Sequence, residues 1–300
     1  RLGDVAPLAQ MLVLAVPIGF VNPALSSPDG AVIATAGQDG TIRLWDAVSG
    51  EQQVMLQAPK PPEADQQITD RLAFSADGQY MVSASTVITR ADQAKQQEES
   101  TIIRVWEFAQ DDEITATLRH TISVDQGQIT DIVFSGDGTF FVTTSLDRSV
   151  RAWDTSSGQA KWKQPAGQRD QYNVSFSADD STIVTAGLSN TLRFWDARSG
   201  KAREEYTLQL EDADTRQGNR AAYSPVDADV LATARGNRAQ LWRWQNGAGE
   251  WERQHTLTGH EDKILSLAFS PAGEWLVTSS ADTTVRIWEV ATGKLHLSIS

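Results

Sequence analysis

A serine ahead of a tight turn and a tryptophan after it recur together six times along the chain. The pairs are Ser27 and Trp45, Ser75 and Trp106, Ser135 and Trp153, Ser177 and Trp195, Ser224 and Trp242, and Ser270 and Trp288. Five pairs are 18 residues apart; the second is 31 apart, an insertion of 13. The residues between them repeat too: SPDGAVIATAGQDGTIRLWD at 27–46 aligns with SGDGTFFVTTSLDRSVRAWD at 135–154, SADDSTIVTAGLSNTLRFWD at 177–196 and SPAGEWLVTSSADTTVRIWE at 270–289. The unit at Ser224 is degenerate, with PVDAD at the first turn and Arg243 after its tryptophan. A chain made of one short unit in many copies folds by stacking the copies.

Each unit reads as four short strands. An apolar run such as ILSLAF (264–269) leads into an Asp-Gly type turn, whose residues tolerate positive φ. A second strand (VIATA, 32–36) is followed by a turn carrying Asp39, Asp147 or Asp282, and a β-branched third strand (TIRLW, SVRAW, TVRIW) ends in tryptophan. A Ser-Gly or Thr-Gly turn then leads to a more polar fourth strand such as EQQVMLQ (51–57). In TIRLW, Ile42 and Leu44 point one way and Trp45 the other, so both faces of the sheet are apolar. Without helices, such sheets must stack on one another, and several of them close into a radial ring.

These motifs resemble the WD-repeat β-propeller family. Trp-Asp stands at Trp45-Asp46, Trp153-Asp154 and Trp195-Asp196, Trp-Glu at Trp106-Glu107 and Trp288-Glu289, and Gly-His once, at Gly259-His260. The resemblance implies a single all-β propeller domain over 1–300, with blades near 18–57, 68–118, 129–165, 172–208, 220–257 and 263–300. It implies a hydrogen-bonded chain of His260, Thr278, Asp282 and Trp288, complete only in the sixth blade because the others lack the histidine. It also implies that an N-terminal strand, here 8–16, helps to close the ring. Since the sixth blade already has its own fourth strand, two closures are open: a seventh blade supplied beyond Ser300, or six blades closing directly with one terminal strand displaced. An unpaired sheet edge is an aggregation hazard, which favours the first, as do the non-Met start and abrupt end.

The family's top face, formed by the loops leading into each first strand and the turns between second and third strands, is where a partner is expected. The unusual segments fall there: a Gln-rich insertion at 86–100 with Arg90 and Lys95, the proline-stiffened loop 57–67 with Lys60 and Glu63, and the loop 209–219 with Glu211, Asp212, Asp214 and Arg216. Gln38, Leu146, Arg148, Leu188 and Ala281 border the same platform. Arg43, Arg104, Arg151, Arg193 and Arg286 recur two residues before the tryptophan, which points to a repeated structural contact with a neighbouring blade's acid.

Composition narrows the function. A net charge of −13 is a poor match for nucleic acid or an anionic membrane, and the acidic loop with Glu211, Asp212 and Asp214 suits proteins or peptides of basic character. Without cysteine there is no disulfide, thiolate zinc site or cysteine nucleophile, and four histidines give little material for a metal site. No phosphate loop, HExxH helix or serine elbow is present, so neither a cofactor nor a catalytic residue is expected. The apolar run 11–21 is too short for a membrane span; it reads as a strand of a cytoplasmic protein, or as a signal remnant of an exported one. The expected role is a non-catalytic interaction scaffold. The alternatives are a sensor or regulatory module of a longer chain and a propeller hydrolase or lyase.

Overall fold

The alternation of apolar residues becomes six four-stranded antiparallel sheets, each with its strands in sequence order. A computed structural model describes residues 21–57, 59–90, 97–110, 114–124, 127–167, 170–210 and 219–300; the closing strand expected at 8–16 lies outside them. Sheet one comprises Val21–Ser26, Val32–Gly37, Thr41–Asp46 and Gln52–Gln57. Sheet two comprises Gln66–Phe74, Tyr80–Arg90, Gln97–Gln110 and Ile114–Val124, and sheet three Ile129–Phe134, Phe140–Ser145, Ser149–Asp154 and Ala160–Pro165. Sheet four comprises Gln171–Phe176, Thr182–Gly187, Thr191–Asp196 and Leu208–Gln209, and sheet five Arg220–Tyr223, Val230–Arg235, Arg238–Gln245 and Glu250–Leu257. Sheet six comprises Ile264–Phe269, Trp275–Ser280, Val285–Glu289 and Leu295–Ile299.

The recurrent serine is a hairpin clamp. Ser27 Oγ donates to Asp29 Oδ1 at 2.5 Å and accepts from the Val32 amide at 2.9 Å. Ser75 with Asp77, Ser135 with Asp137 and Ser177 with Asp179 repeat the donor bond at 2.6, 2.7 and 2.6 Å. The tryptophan is fixed by an equally local rule. Its indole Nε1 donates to the second-strand hydroxyl of its own sheet in all six: Thr35, Ser83, Thr143, Thr185, Thr233 and Thr278, at 2.8–3.1 Å.

Sheets stack in chain order. Val82, Ala84, Ile103 and Val105 of sheet two pack on Phe141 and Trp153 of sheet three; Val142 and Ala152 on the reverse of sheet three meet Ile183 and Trp195 of sheet four. Each of these tryptophans therefore faces the preceding sheet, and fully burying one such apolar side chain contributes about 1.5–3 kcal/mol. Trp242 and Trp288 continue the pattern against sheets four and five. The far face of sheet six differs. Its cross-strand row Val277, Ile287 and Leu297 corresponds to Val142, Ala152 and Trp162 in sheet three. Val142 and Ala152 are fully buried, whereas Leu297 is 46% exposed and Ile299, two residues along the same strand, is 50% exposed.

A latch joins the outer strands. The residue opposite the position before the tryptophan is His120, Trp162 or His255 in sheets two, three and five. Each reaches a backbone carbonyl in a turn of the next sheet: His120 Nε2 at 2.7 Å from Ser156 O, Trp162 Nε1 donating to Ala197 O at 3.1 Å, and His255 Nε2 at 3.1 Å from Ala291 O.

Three local expectations change. The insertion at 86–100 is not mainly a loop: Thr86–Arg90 pairs with Gln97–Thr101, prolonging the central hairpin of sheet two. The fourth strand of sheet four shrinks to Leu208–Gln209 because a 3-10 turn, Glu204–Tyr206, carries Tyr206 out to stack on Trp244, ring centroids 4.2 Å apart. The recurrent arginines do not reach a neighbouring blade's acid in sheets one and three; Arg43 and Arg151 pair with Asp39 and Asp147 of their own hairpin turns.

Candidate functional site

The lead-in loops and the second turns share one face because they hydrogen-bond to each other. The Leu146 amide donates to Gln128 O, Leu188 to Asp170 O, Ala281 to Lys263 O and Asp65 to Ile88 O, at 2.9–3.0 Å. Between sheets one and two this face opens into a groove of about 500 Å³, bordered by Gln38, Asp39, Gln57, Lys60, Gln66 and Gln67. The proline-rich loop forming one wall is pinned: Arg104 Nη2 donates to Pro59 O at 2.9 Å and to Gln67 Oε1 at 3.2 Å, and Lys60 Nζ donates to Asp65 O at 3.1 Å. Burial lowers the Arg104 guanidinium from its ordinary value. On the other wall, burial works to raise the Asp39 carboxyl, but hydrogen bonds from Arg43 and Thr41 outweigh it and hold it below the usual carboxylate range. The groove thus presents the side chains of Gln38, Gln57 and Gln66 on a pre-set backbone, with Gln67 held by Arg104 and Asp39 by Arg43.

The expected site residues disperse around the face. Gln38 and Lys60 share the groove, and Glu63 is exposed on the adjoining turn. Leu146 and Leu188 are half-buried, and Arg148, at positive φ, is exposed with its Nε 4.0 Å from Asp170. Ala281 lies apart, on sheet six. Arg90 ends its strand, paired with Gln97. Lys95, Glu211, Asp212, Asp214 and Arg216 lie outside the described residues.

His260, Thr278, Asp282 and Trp288 meet inside sheet six. His260 Nδ1 is 2.9 Å from Asp282 Oδ2, His260 Nε2 is 2.8 Å from Thr278 Oγ1, and Trp288 Nε1 donates to that same hydroxyl at 2.9 Å. Burial works to raise the Asp282 carboxyl, but hydrogen bonds from Thr284, the Glu261 and Thr284 amides and His260 hold it well below the ordinary carboxylate range. Every polar group of this quartet is engaged, so the arrangement stiffens the sheet and offers no free base. Among the described residues no group of three His, Asp or Glu side chains could hold a metal, and no helix is long and apolar enough to cross a membrane.

Sequence reasoning missed the channel-side position four residues before each anchoring serine: Pro23, Arg71, Asp131, Asn173, Arg220 and Ser266. First strands of successive sheets adjoin, so this position forms one layer around the axis. In sheets two, three, four and six a bulge sits just before it, re-aiming the side chain. Four of the six reach into the next sheet. Arg71 Nε donates to Thr130 O at 2.5 Å, Asp131 accepts from the Val174 amide at 3.0 Å, Asn173 Oδ1 accepts from the Ala221 amide at 2.7 Å, and Arg220 Nε donates to Leu265 O at 3.2 Å. The available signal was a polar residue at a fixed offset inside otherwise apolar strands.

Repeated four-stranded sheets stacked face to face in chain order, each with a clamped serine and a threonine- or serine-bound tryptophan, define a blade-built propeller. Residues 21–46, 115–154, 166–196 and 251–289 match the family "WD domain, G-beta repeat", in keeping with a WD-repeat β-propeller. The chain is similar to the pre-mRNA-splicing factor PRP46 of Yarrowia lipolytica, 42% identical over 82 residues, covering 26% of this chain and 18% of that protein. It is also similar to the protein pleiotropic regulator PRL2 of Arabidopsis thaliana, 46% identical over 50 residues, covering 17% and 10%. The probable cytosolic iron-sulfur protein assembly protein 1 of Botryotinia fuckeliana is 34% identical over 84 residues, covering 26% and 19%. The chain spans less than a fifth of the length of each of these relatives.

Proposed function

We propose that this propeller is a non-catalytic scaffold that holds a protein or peptide of basic character against the face bearing the groove between sheets one and two. The observation that carries the reading is the groove itself: about 500 Å³ of polar space whose walls are fixed by buried hydrogen bonds before any partner arrives. Preformed recesses of this kind lose little conformational freedom on binding. Relatives that carry the names of a splicing factor, a pleiotropic regulator and an assembly protein support a role among other proteins. The full engagement of the histidine quartet and the structural use of the turn aspartates support a role without chemistry.

The test is affinity capture with the wild type and with Gln38→Arg combined with Gln57→Arg, which puts cations on both walls. Captured partners should fall by at least about tenfold, the equivalent of ~1.4 kcal/mol, with unchanged circular dichroism. An identical set of partners at identical yield would rule the groove out as the docking place.

A further inference from the structure

The axial layer described above carries more positive charge than it neutralises. Two guanidinium groups, Arg71 and Arg220, stand at equivalent positions of sheets two and five, with one carboxylate, Asp131, between them in sheet three. Asp131 is already engaged by sheet four, where the Val174 amide and Asn173 Nδ2 both donate to its Oδ2 at 3.0 Å. Each arginine spends two nitrogens on backbone carbonyls: Arg71 on Thr130 and Asp70, Arg220 on Leu265 and Asn219. The Nη2 of each has no hydrogen-bond partner among the described residues, and neither is a sealed, solvent-free atom. Arg220 also lies over the Tyr172 ring, 5.9 Å from its centroid.

Asp131 and Arg71 both lie close enough to Arg220 for their charges to act on it. Burial lowers the Arg220 guanidinium from its ordinary value, Asp131 opposes the shift, and Arg71 adds to it. A second carboxylate, Asp170, is near the Tyr172 hydroxyl, but it also faces Arg148, so it does not cancel the surplus cation. Two partly desolvated guanidinium groups with free N–H donors, inside an otherwise acidic protein, match an anion far better than water does.

We propose that the central channel is an anion site, in which a compact oxyanion, phosphate or carboxylate, seats between Arg71 and Arg220 and accepts from the free Nη2 of each. The arginine stems and their carbonyl bonds hold the forks in place, and the ligand ties sheet two to sheet five across the axis. The site is distinct from the peripheral groove, and either can stand without the other.

The experiment is isothermal titration of the whole chain with inorganic phosphate and, separately, with sodium acetate, at constant ionic strength. Saturable binding of at least one anion is expected in the wild type. Phosphate alone taking the site identifies a phosphate ligand; acetate binding as well identifies a site open to an acidic side chain. Arg71→Gln and Arg220→Gln should each weaken binding at least tenfold with unchanged circular dichroism. Asp131→Asn, which keeps an acceptor for Val174 but removes the competing charge, should bind several-fold tighter, and it tests the proposal even where an arginine variant fails to fold. No saturable binding of either anion, or equal affinity in wild type and Asp131→Asn, overturns it.

Discussion

Asp131 of sheet three holds Asn173 of sheet four: its Oδ2 takes the Asn173 Nδ2 proton and the Val174 amide proton, each at 3.0 Å. Asn173 in turn accepts from the Ala221 amide of sheet five, so one polar position hands the contact on from sheet to sheet. Removing the carboxylate strands an amide and a side-chain donor in the interior. Asp131→Ala is expected to lower unfolding stability by about 1–3 kcal/mol, with Asp131→Asn losing less. Urea titration followed by tryptophan fluorescence checks both, and equal stabilities would mean the bonds are incidental.

Thr143 and Thr278 are both fully buried and both accept from an indole, but Thr278 also meets His260. Thr143→Val strands one donor and should cost about 1–3 kcal/mol. Thr278→Val breaks two contacts and should destabilise more. The difference in their denaturation midpoints is the measurement; a Thr143 variant as damaged as the Thr278 variant contradicts the added role of the histidine.

Gly200 sits at φ +68°, and a Cβ there would lie 2.6 Å from Trp162 Cδ2. Trp162 is the latch from sheet three, so Gly200→Ala both strains the turn and pushes the latch off. A loss of about 1–3 kcal/mol is expected from the backbone alone, and pairing it with Trp162→Ala should remove the steric part. A double-mutant cycle with no coupling between the two sites would refute the latch.

Acid should loosen the blades. Asp282 and the turn aspartates Asp29, Asp137, Asp154 and Asp196 are all lowered from the ordinary aspartate value of 3.8. A carboxyl whose folded value is depressed contributes stability above 3.8, and that stability is lost as the pH falls from 3.8 towards the folded value. The melting temperature should therefore drop on titration below about pH 4, and Asp282→Asn should flatten part of that slope. A melting temperature indifferent to pH across this window would show the hydrogen bonds to be absent in solution.

The sequence made the strands and tight turns legible because their determinants are local: a serine two residues ahead of an aspartate, a threonine ten ahead of its tryptophan, alternation within five residues. What lay hidden depends on contacts the local pattern does not encode. The prolonged hairpin of sheet two pairs Thr86–Arg90 with Gln97–Thr101, and its apolar support, Val87 with Ala64 and Ile102, comes from residues far apart in sequence, so the polar segment reads as a loop. Tyr206 abandons the fourth strand of sheet four for an aromatic stack on Trp244 in sheet five, and Trp251 Nε1 secures it by donating to Tyr206 O at 2.9 Å. The groove was half visible, since Gln38 and the loop 57–67 with Lys60 were expected on this face, but that Gln66 and Gln67 border a recess emerges only once sheet two is laid beside sheet one. Arg71 and Arg220 were invisible because a bulge or a neighbouring strand decides where they point.

Latches and axial side chains alike reach from a sheet to its successor, which gives the stack a direction. Sheet six is held from sheet five by His255 on the outside and Arg220 within. Releasing one such hold should therefore loosen the receiving sheet before the sheet that gives it. Amide hydrogen exchange on Trp162→Ala ought to record this asymmetry, quicker in sheet four than in the fully enclosed Phe140–Ser145, so that slackness passes along the blades one way, as along a row of linked arms.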